Sequence, residues 1–221
     1  MARLVFAFGA AAVSVFGLAG PAEGVGGYSY GGAASRSAAG AVVATVTPYD
    51  LEHVRSGHVA AWVGVGGPGL GPGGIDEWIQ VGVNGFAGTS TGTVYVEIKR
   101  GAFYRYEPLA VGVARGERHR IAVLESSSRS GWWRASVDGV SASPPVFLPG
   151  SHGRWPAQIV AESWTQGSAD CNAFAFGFAD VAVRYTQARS LTSLVRPVMF
   201  AEDGIKFSRS GTDFSARRRC P

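Results

Sequence analysis

Cysteine, methionine and histidine are scarce: two, two and four residues in a chain of 221. Two cysteines are too few for a zinc knuckle, and His53, His58, His119 and His152 show no HExxH or HxH pairing, so a metal centre is not expected. Charge is also sparse, at 16% of residues, and 20 lysines and arginines stand against 16 acidic residues. The basic excess is scattered apart from Arg217, Arg218 and Arg219, with no basic stripe or aromatic platform behind it, which excludes nucleic acid as a partner. No cofactor motif survives inspection either. Residues 64–69 match GxGxxG, but more Gly and Pro follow where a phosphate-binding helix would have to open. Residues 88–92 match GxSxG, but they read as a polar turn between strands rather than a strand-to-helix elbow.

Long apolar runs are confined to the N-terminus. Residues 1–19 carry Arg3, an apolar stretch from Leu4 to Leu18 and small residues at the end, the pattern of a secretory signal peptide. Nothing after it approaches the roughly 20 apolar residues of a membrane span. The expected product is secreted, monomeric and free of the membrane once the signal is cleaved. In an oxidising compartment an isolated cysteine pair invites a disulfide, here Cys171 with Cys220.

Helical periodicity is missing as well. Only residues 191–200 are long enough for a helical turn or two, and Pro197 limits them. Strand signals instead recur at 41–47, 58–66, 76–83, 94–99, 102–106, 119–125, 132–138, 157–164 and 173–184, with candidates at 205–208 and 212–216. Gly/Pro-rich turns separate them. This pattern predicts an all-β domain over residues 41–221, a β-sandwich or jelly roll, preceded by a flexible Gly/Ala/Ser-rich leader at 20–40.

Side chains alternate across a strand with period two. In HVAAWVGVG (58–66), DEWIQVGV (76–83), VYVEIK (94–99) and AQIVAESW (157–164), one face collects Val63, Ile79, Val81, Val96, Ile98 and Ile159, an ordinary core. The other collects Trp62, Trp78, Gln80, Tyr95, Glu97, Glu162 and Trp164. Tryptophans interleaved with an amide and two carboxyls describe a polar-aromatic groove. If the strands of Gln80 and Glu162 are neighbours, an amide and an acid converge. Glu162 then acts as general base toward water and general acid toward a leaving amine, while Gln80 donates to the oxyanion. Flanking tryptophans would desolvate the carboxyl and favour its protonated form.

The segments AAWVGVGG, WIQVGV, YVEI and IVAESW, followed by Phe174-Ala-Phe-Gly177, stand in the order and approximate spacing of the glutamic peptidases, the eqolisins, whose elements read W-V-G-I, L-Q-x-G-V, Y-E-W, A-E-W-I-V-E-D and F-A-x-F-G. The likeness covers residues 40–185. It implies a concanavalin A-like sandwich of two antiparallel sheets and a secreted, acid-acting endopeptidase with a polypeptide substrate and no cofactor. It implies Gln80 and Glu162 as the catalytic pair, with Trp62, Trp78, Tyr95, Glu97 and Trp164 lining the cleft. The chain departs from the pattern at Gln158, Ile159, Ser163 and Lys99. The carboxyl position falls on Glu162, or on Gln158 if the alignment shifts, in which case the base is lost.

Two other readings fit the groove. A non-catalytic module would stack glycan rings on Trp and Tyr. A glycosidase would draw two carboxylates from Glu97, Glu107, Glu125 and Glu162, although the single-strand ExDxxE run of sandwich-fold glucanases is absent.

Overall fold

A computed structural model describes residues 27–194, 196–202 and 204–221. The signal-peptide reading at 1–19 lies outside them, as do residues 20–26 of the expected leader. Fifteen strands follow in chain order: β1 (Tyr28–Asp50), β2 (His58–Gly67), β3 (Glu77–Phe86), β4 (Gly92–Arg100), β5 (Phe103–Val113), β6 (His119–Glu125), β7 (Trp132–Val137), β8 (Val140–Ser141), β9 (Val146–Phe147), β10 (Pro156–Trp164), β11 (Phe174–Tyr185), β12 (Thr192–Ser193), β13 (Val198–Ala201), β14 (Lys206–Ser210) and β15 (Asp213–Arg218). All pair antiparallel, giving a jelly roll of two layers.

One layer runs β13-β1-β10-β2-β3-β4-β5 and the other β14-β15-β11-β1-β6-β7, so the 23 residues of β1 belong to both. The first half of β1 pairs with β10 and β13, the second half with β11 and β6. The register breaks between Ala34 and Ala38, where Arg36 is exposed and the strand passes from one layer to the next.

Residues 28–40 are therefore not a loose leader. Their composition concealed a strand because glycine and alanine carry little β propensity, yet small residues are what the position demands. A β-carbon at Gly32 would stand 2.2 Å from the Ile159 carbonyl oxygen, and one at Gly31 2.7 Å from Ile205 Cγ2. The described residues of 191–200 likewise form no helical turn: β12 and β13 pair with β11 and β1.

The face read as core from its alternation is core. Val63, Ile79, Val81, Val96, Ile98 and Ile159 are buried between the layers with Val42, Val46, Ile121, Val123, Trp133 and the Phe174, Phe176 and Phe178 series of β11. Cys171 and Cys220 are joined, tying the end of β15 to the segment that leads into β11. A second, smaller apolar cluster, Ala60, Trp62, Tyr95 and Val160, lies on the opposite face of the β2-containing layer.

Gly82 makes that second cluster possible. It faces Trp62 across the β2–β3 pair, and an added methyl would lie 2.4 Å from the Ala61 carbonyl oxygen and 2.7 Å from Trp62 Cβ. Gly82→Ala is expected to lower the unfolding free energy by about 2 kcal/mol. A shift of the urea midpoint at constant slope reads this out; an unchanged midpoint contradicts it.

Candidate active site

Cross-strand registers place the outward-facing residues in rows. One row reads Gln158, Gly64, Gln80, Glu97, Tyr106 across β10-β2-β3-β4-β5. The next reads Val160, Trp62, Gly82, Tyr95, Pro108, and the third Glu162, Ala60, Asn84, Thr93. Tyr30 of β1 stands beside Glu162, and Tyr28 and His58 flank Trp164. All seven residues read from the sequence as groove-lining share this face.

Two carboxyls organise the face. Glu162, 7% exposed, accepts a hydrogen bond from Trp62 Nε1 at 2.7 Å on one oxygen. Its other oxygen lies 3.0 Å from His58 Nε2. The His58 tautomer with its proton on Nε2 would donate to an ionised carboxyl there. The His58 ring is boxed by Tyr28, Phe86 and Trp164. Glu97 accepts from Trp78 Nε1 at 2.9 Å. Burial and then the negative charge of Glu162 push the Glu97 carboxyl up to about 7, against the opposing pull of the Trp78 hydrogen bond and His58. The charge of Glu162 reaches Glu97 although three strand spacings and two rows separate their backbones.

Tyrosines fill the rest. Tyr28 stacks on Trp164 at 5.6 Å and on Tyr30 at 5.7 Å, and Tyr95 on Tyr106 at 5.4 Å. Burial, reinforced by Glu162 and Glu97, raises Tyr28 and Tyr104 to about 12 and pushes Tyr30 and Tyr95 well above the ordinary tyrosine range. All four therefore stay protonated donors. Among the described residues no group of three His, Cys, Asp or Glu converges as a metal site.

The structure corrects the expected meeting of Gln80 and Glu162. Their strands are not neighbours, because β2 runs between β3 and β10. Directly across β2 from Gln80 stands Gln158, whose amide donates to the Gly66 carbonyl at 2.7 Å. Gln80 Nε2 instead donates to the Tyr95 hydroxyl at 3.3 Å. That leaves the Tyr95 proton free to point elsewhere, and the charge acting most strongly on Tyr95 is Glu162. The amide is thus linked to the acid's surroundings through a phenol. Raised protonation, expected for the tryptophan-flanked catalytic acid, is found at Glu97.

His58, Tyr28, Tyr30, Asn84, Tyr104 and Tyr106 belong to the face and escaped the sequence reading. His58 has the same parity as Trp62 on β2, so strand alternation alone puts it on this face. Tyr28 and Tyr30 were hidden in the supposed leader.

No family model matches this chain, and no curated protein matches it. Solved structures do. The crystal structure of Scytalido-glutamic peptidase with a peptide-based transition state analog superposes with a TM-score of 0.63 at 20% identity, covering 86% of this chain and 98% of that one. SCP-B, a member of the eqolisin family in complex with the tripeptide Ala-Ile-His, gives 0.55 at 20% identity with the same coverage. An alginate lyase from Pseudomonas aeruginosa gives 0.50 at 16% identity over 67% of this chain and 65% of that one. The class defined is a jelly roll with an open aromatic face. Within it, this chain has the fold of the glutamic peptidases, as its motif order implied.

Glu97 holds its proton to about pH 7 when folded and to 4.5 as an ordinary glutamate. The stability it contributes is therefore complete below 4.5 and is lost as pH rises through 7. Glu97→Gln is expected to level that part of the stability–pH curve. Glu162→Gln, which removes the repelling charge, should bring the Glu97 titration down from about 7 toward 4.5. Carboxyl carbon NMR follows that titration, and an unmoved midpoint contradicts the coupling.

Proposed function

We propose that this chain is an exported hydrolase of peptide bonds, working in acid to near-neutral solution, with Glu162 and Glu97 as its base and acid. The observation that carries this reading is the buried Glu162 carboxyl, hydrogen-bonded to Trp62 Nε1 and His58 Nε2, on the same face as a second carboxyl that feels its charge and keeps its proton to about pH 7. Two titratable groups with distinct surroundings in one cleft are the usual arrangement for acid–base work. The fold of peptidases seen with peptide-like ligands, and a disulfide suited to an oxidising compartment, support a polypeptide substrate outside the cell.

In this reading an extended substrate lies across the aromatic face, with Trp78, Trp164 and the tyrosines gripping its side chains. Glu162 removes a proton from water as the oxygen attacks the scissile carbonyl. Tyr95, positioned by Gln80, donates to the oxyanion. The C–N bond then breaks as the Glu97 carboxylic acid gives its proton to the leaving amine. Glu162 ends protonated and Glu97 ionised, and exchange with solvent restores both. His58 orients the base as the third member of a relay, without touching substrate.

A second reading rests on the stacked tyrosines. Tyr28 on Trp164 and Tyr95 on Tyr106 make flat platforms suited to sugar rings, so the face would bind a glycan without cleaving it. Two carboxyls on the face oppose an acidic polysaccharide such as alginate, leaving neutral glycans.

Hydrolysis of denatured casein at pH 4 to 8 separates these readings. The peptidase reading expects activity that falls as pH rises through about 7. It also expects Glu162→Gln and Glu97→Gln to lose about 10²–10⁴ in kcat, and Gln80→Ala to lose about 10² through its phenol. Full activity in Glu162→Gln would overturn the assignment. Saturable retention on neutral polysaccharide with no proteolysis would select the glycan reading.

A further inference from the structure

Glu77 is an anomaly. It is the first residue of β3, fully buried, and neither carboxyl oxygen has a hydrogen-bond partner. Buried polar groups are nearly always paired, and an isolated carboxylate out of water is far costlier than its neutral acid. Burial accordingly pushes this carboxyl up, with Arg100 opposing. Glu77 faces away from the groove, yet its neighbour Trp78 holds Glu97.

What covers Glu77 is thin. It is the glycine- and proline-rich loop of residues 68–75, which begins with the last two residues of the GxGxxG-like run. Gly71 is the only buried residue of that loop, and a β-carbon there would lie 3.0 Å from Glu77 Cγ. The loop's large apolar side chains, Leu70 and Ile75, are 38% and 41% exposed, and Ile75 Cγ1 would lie 2.7 Å from that same β-carbon. The loop's hydrogen bonds are mostly to itself: Gly71 N to Ile75 O at 2.8 Å and Gly74 N to Gly71 O at 3.0 Å. Its ends are held by Leu70 N to Gly67 O and Gly69 N to Asp76 Oδ1. Left-handed glycines stand at both ends, Gly66 (φ 90°) and Gly69 (φ 70°) on one side, Gly73 (φ 69°) and Gly74 (φ 80°) on the other.

Charged groups near Glu77 are few. Arg100 lies opposite it on β4, but its guanidinium is drawn to the Phe147 carbonyl at 3.3 Å. Asp76 is occupied by the Gly69 N–H. The end of β2 supplies only Gly66 and Gly67, Arg154 lies beside Gly150 and Pro72, and β7 turns uncharged Trp133 and Ala135 inward.

We propose that residues 67–76 form a pH-operated flap at the Trp78 end of the groove, held shut over neutral Glu77 and opened when that carboxyl ionises. An ionised Glu77 has no donor within the closed arrangement, so it draws water, and the cover lifts on its glycine ends. This goes beyond the hydrolase reading and does not depend on it.

Amide hydrogen exchange on the full chain tests the flap, with rates corrected for intrinsic pH dependence. Opening linked to one proton makes the protection of the 69–75 amides fall about tenfold per pH unit above its onset, while β10 amides stay level. Glu77→Gln and Glu77→Leu are each expected to abolish that fall, and either alone suffices if the other does not fold. Arg100→Gln, which removes the opposing charge, should move the onset to higher pH. Level protection in the unaltered protein, or a fall that persists in Glu77→Leu, overturns the proposal. Protection gained on adding calcium to the unaltered protein but not to Glu77→Gln also overturns it, making Glu77 an ion ligand instead.

Discussion

A carboxylate withdrawn from water must be met by donors, and a buried indole N–H must find an acceptor. On this face each need answers the other. Trp62 donates to Glu162 and Trp78 donates to Glu97. Each indole also lies opposite a glycine, Trp62 opposite Gly82 and Trp78 opposite Gly66. The large ring leans along the sheet only because its cross-strand partner has no side chain. The groove is thus built from one repeated unit, a tryptophan laid over a glycine and pointed at an acid. The difference between the two acids follows from what else reaches them. Glu162 has His58 on its second oxygen, whereas at Glu97 burial and the repulsion of Glu162 outweigh the hydrogen bonds from Trp78 and Tyr104.

Period two made the face legible. Gln80 lies between Ile79 and Val81, both fully buried, so its side chain had only one direction to take. The same holds for Glu97 between Val96 and Ile98. Alternation reveals which side a residue occupies, but not which strand lies next to it or in which row it falls. Those depend on pairing between segments distant in the chain. Hence the groove residues could be named while the place of β2 between Gln80 and Glu162 could not. Gln158 and Glu162 have equal parity, so only the register shows that Gln158 shares the row of Gln80. Residues 28–34 stayed hidden for a different reason: close approach of Ile159 and Ile205 demands side chains too small to announce a strand.

The scaffold is common to peptidases and, at greater distance, to an alginate lyase, so the fold by itself does not choose a chemistry. The choice comes from charge and donors on one face. Here that face carries two carboxyls, a histidine and a bank of tyrosines kept protonated by burial. Where Gln158 stands, an amide bonded to backbone takes the β10 place in the row of Gln80, and Glu97 is that row's acid. Glu162, with His58 at its carboxyl, lies two rows away.

The long first strand has a topological consequence. Because β1 is hydrogen-bonded on both edges in both layers, neither layer owns a complete set of strands without it. The sandwich has no natural seam along which it divides into halves that fold separately. A change that disrupts β1 in one layer is therefore felt in the other.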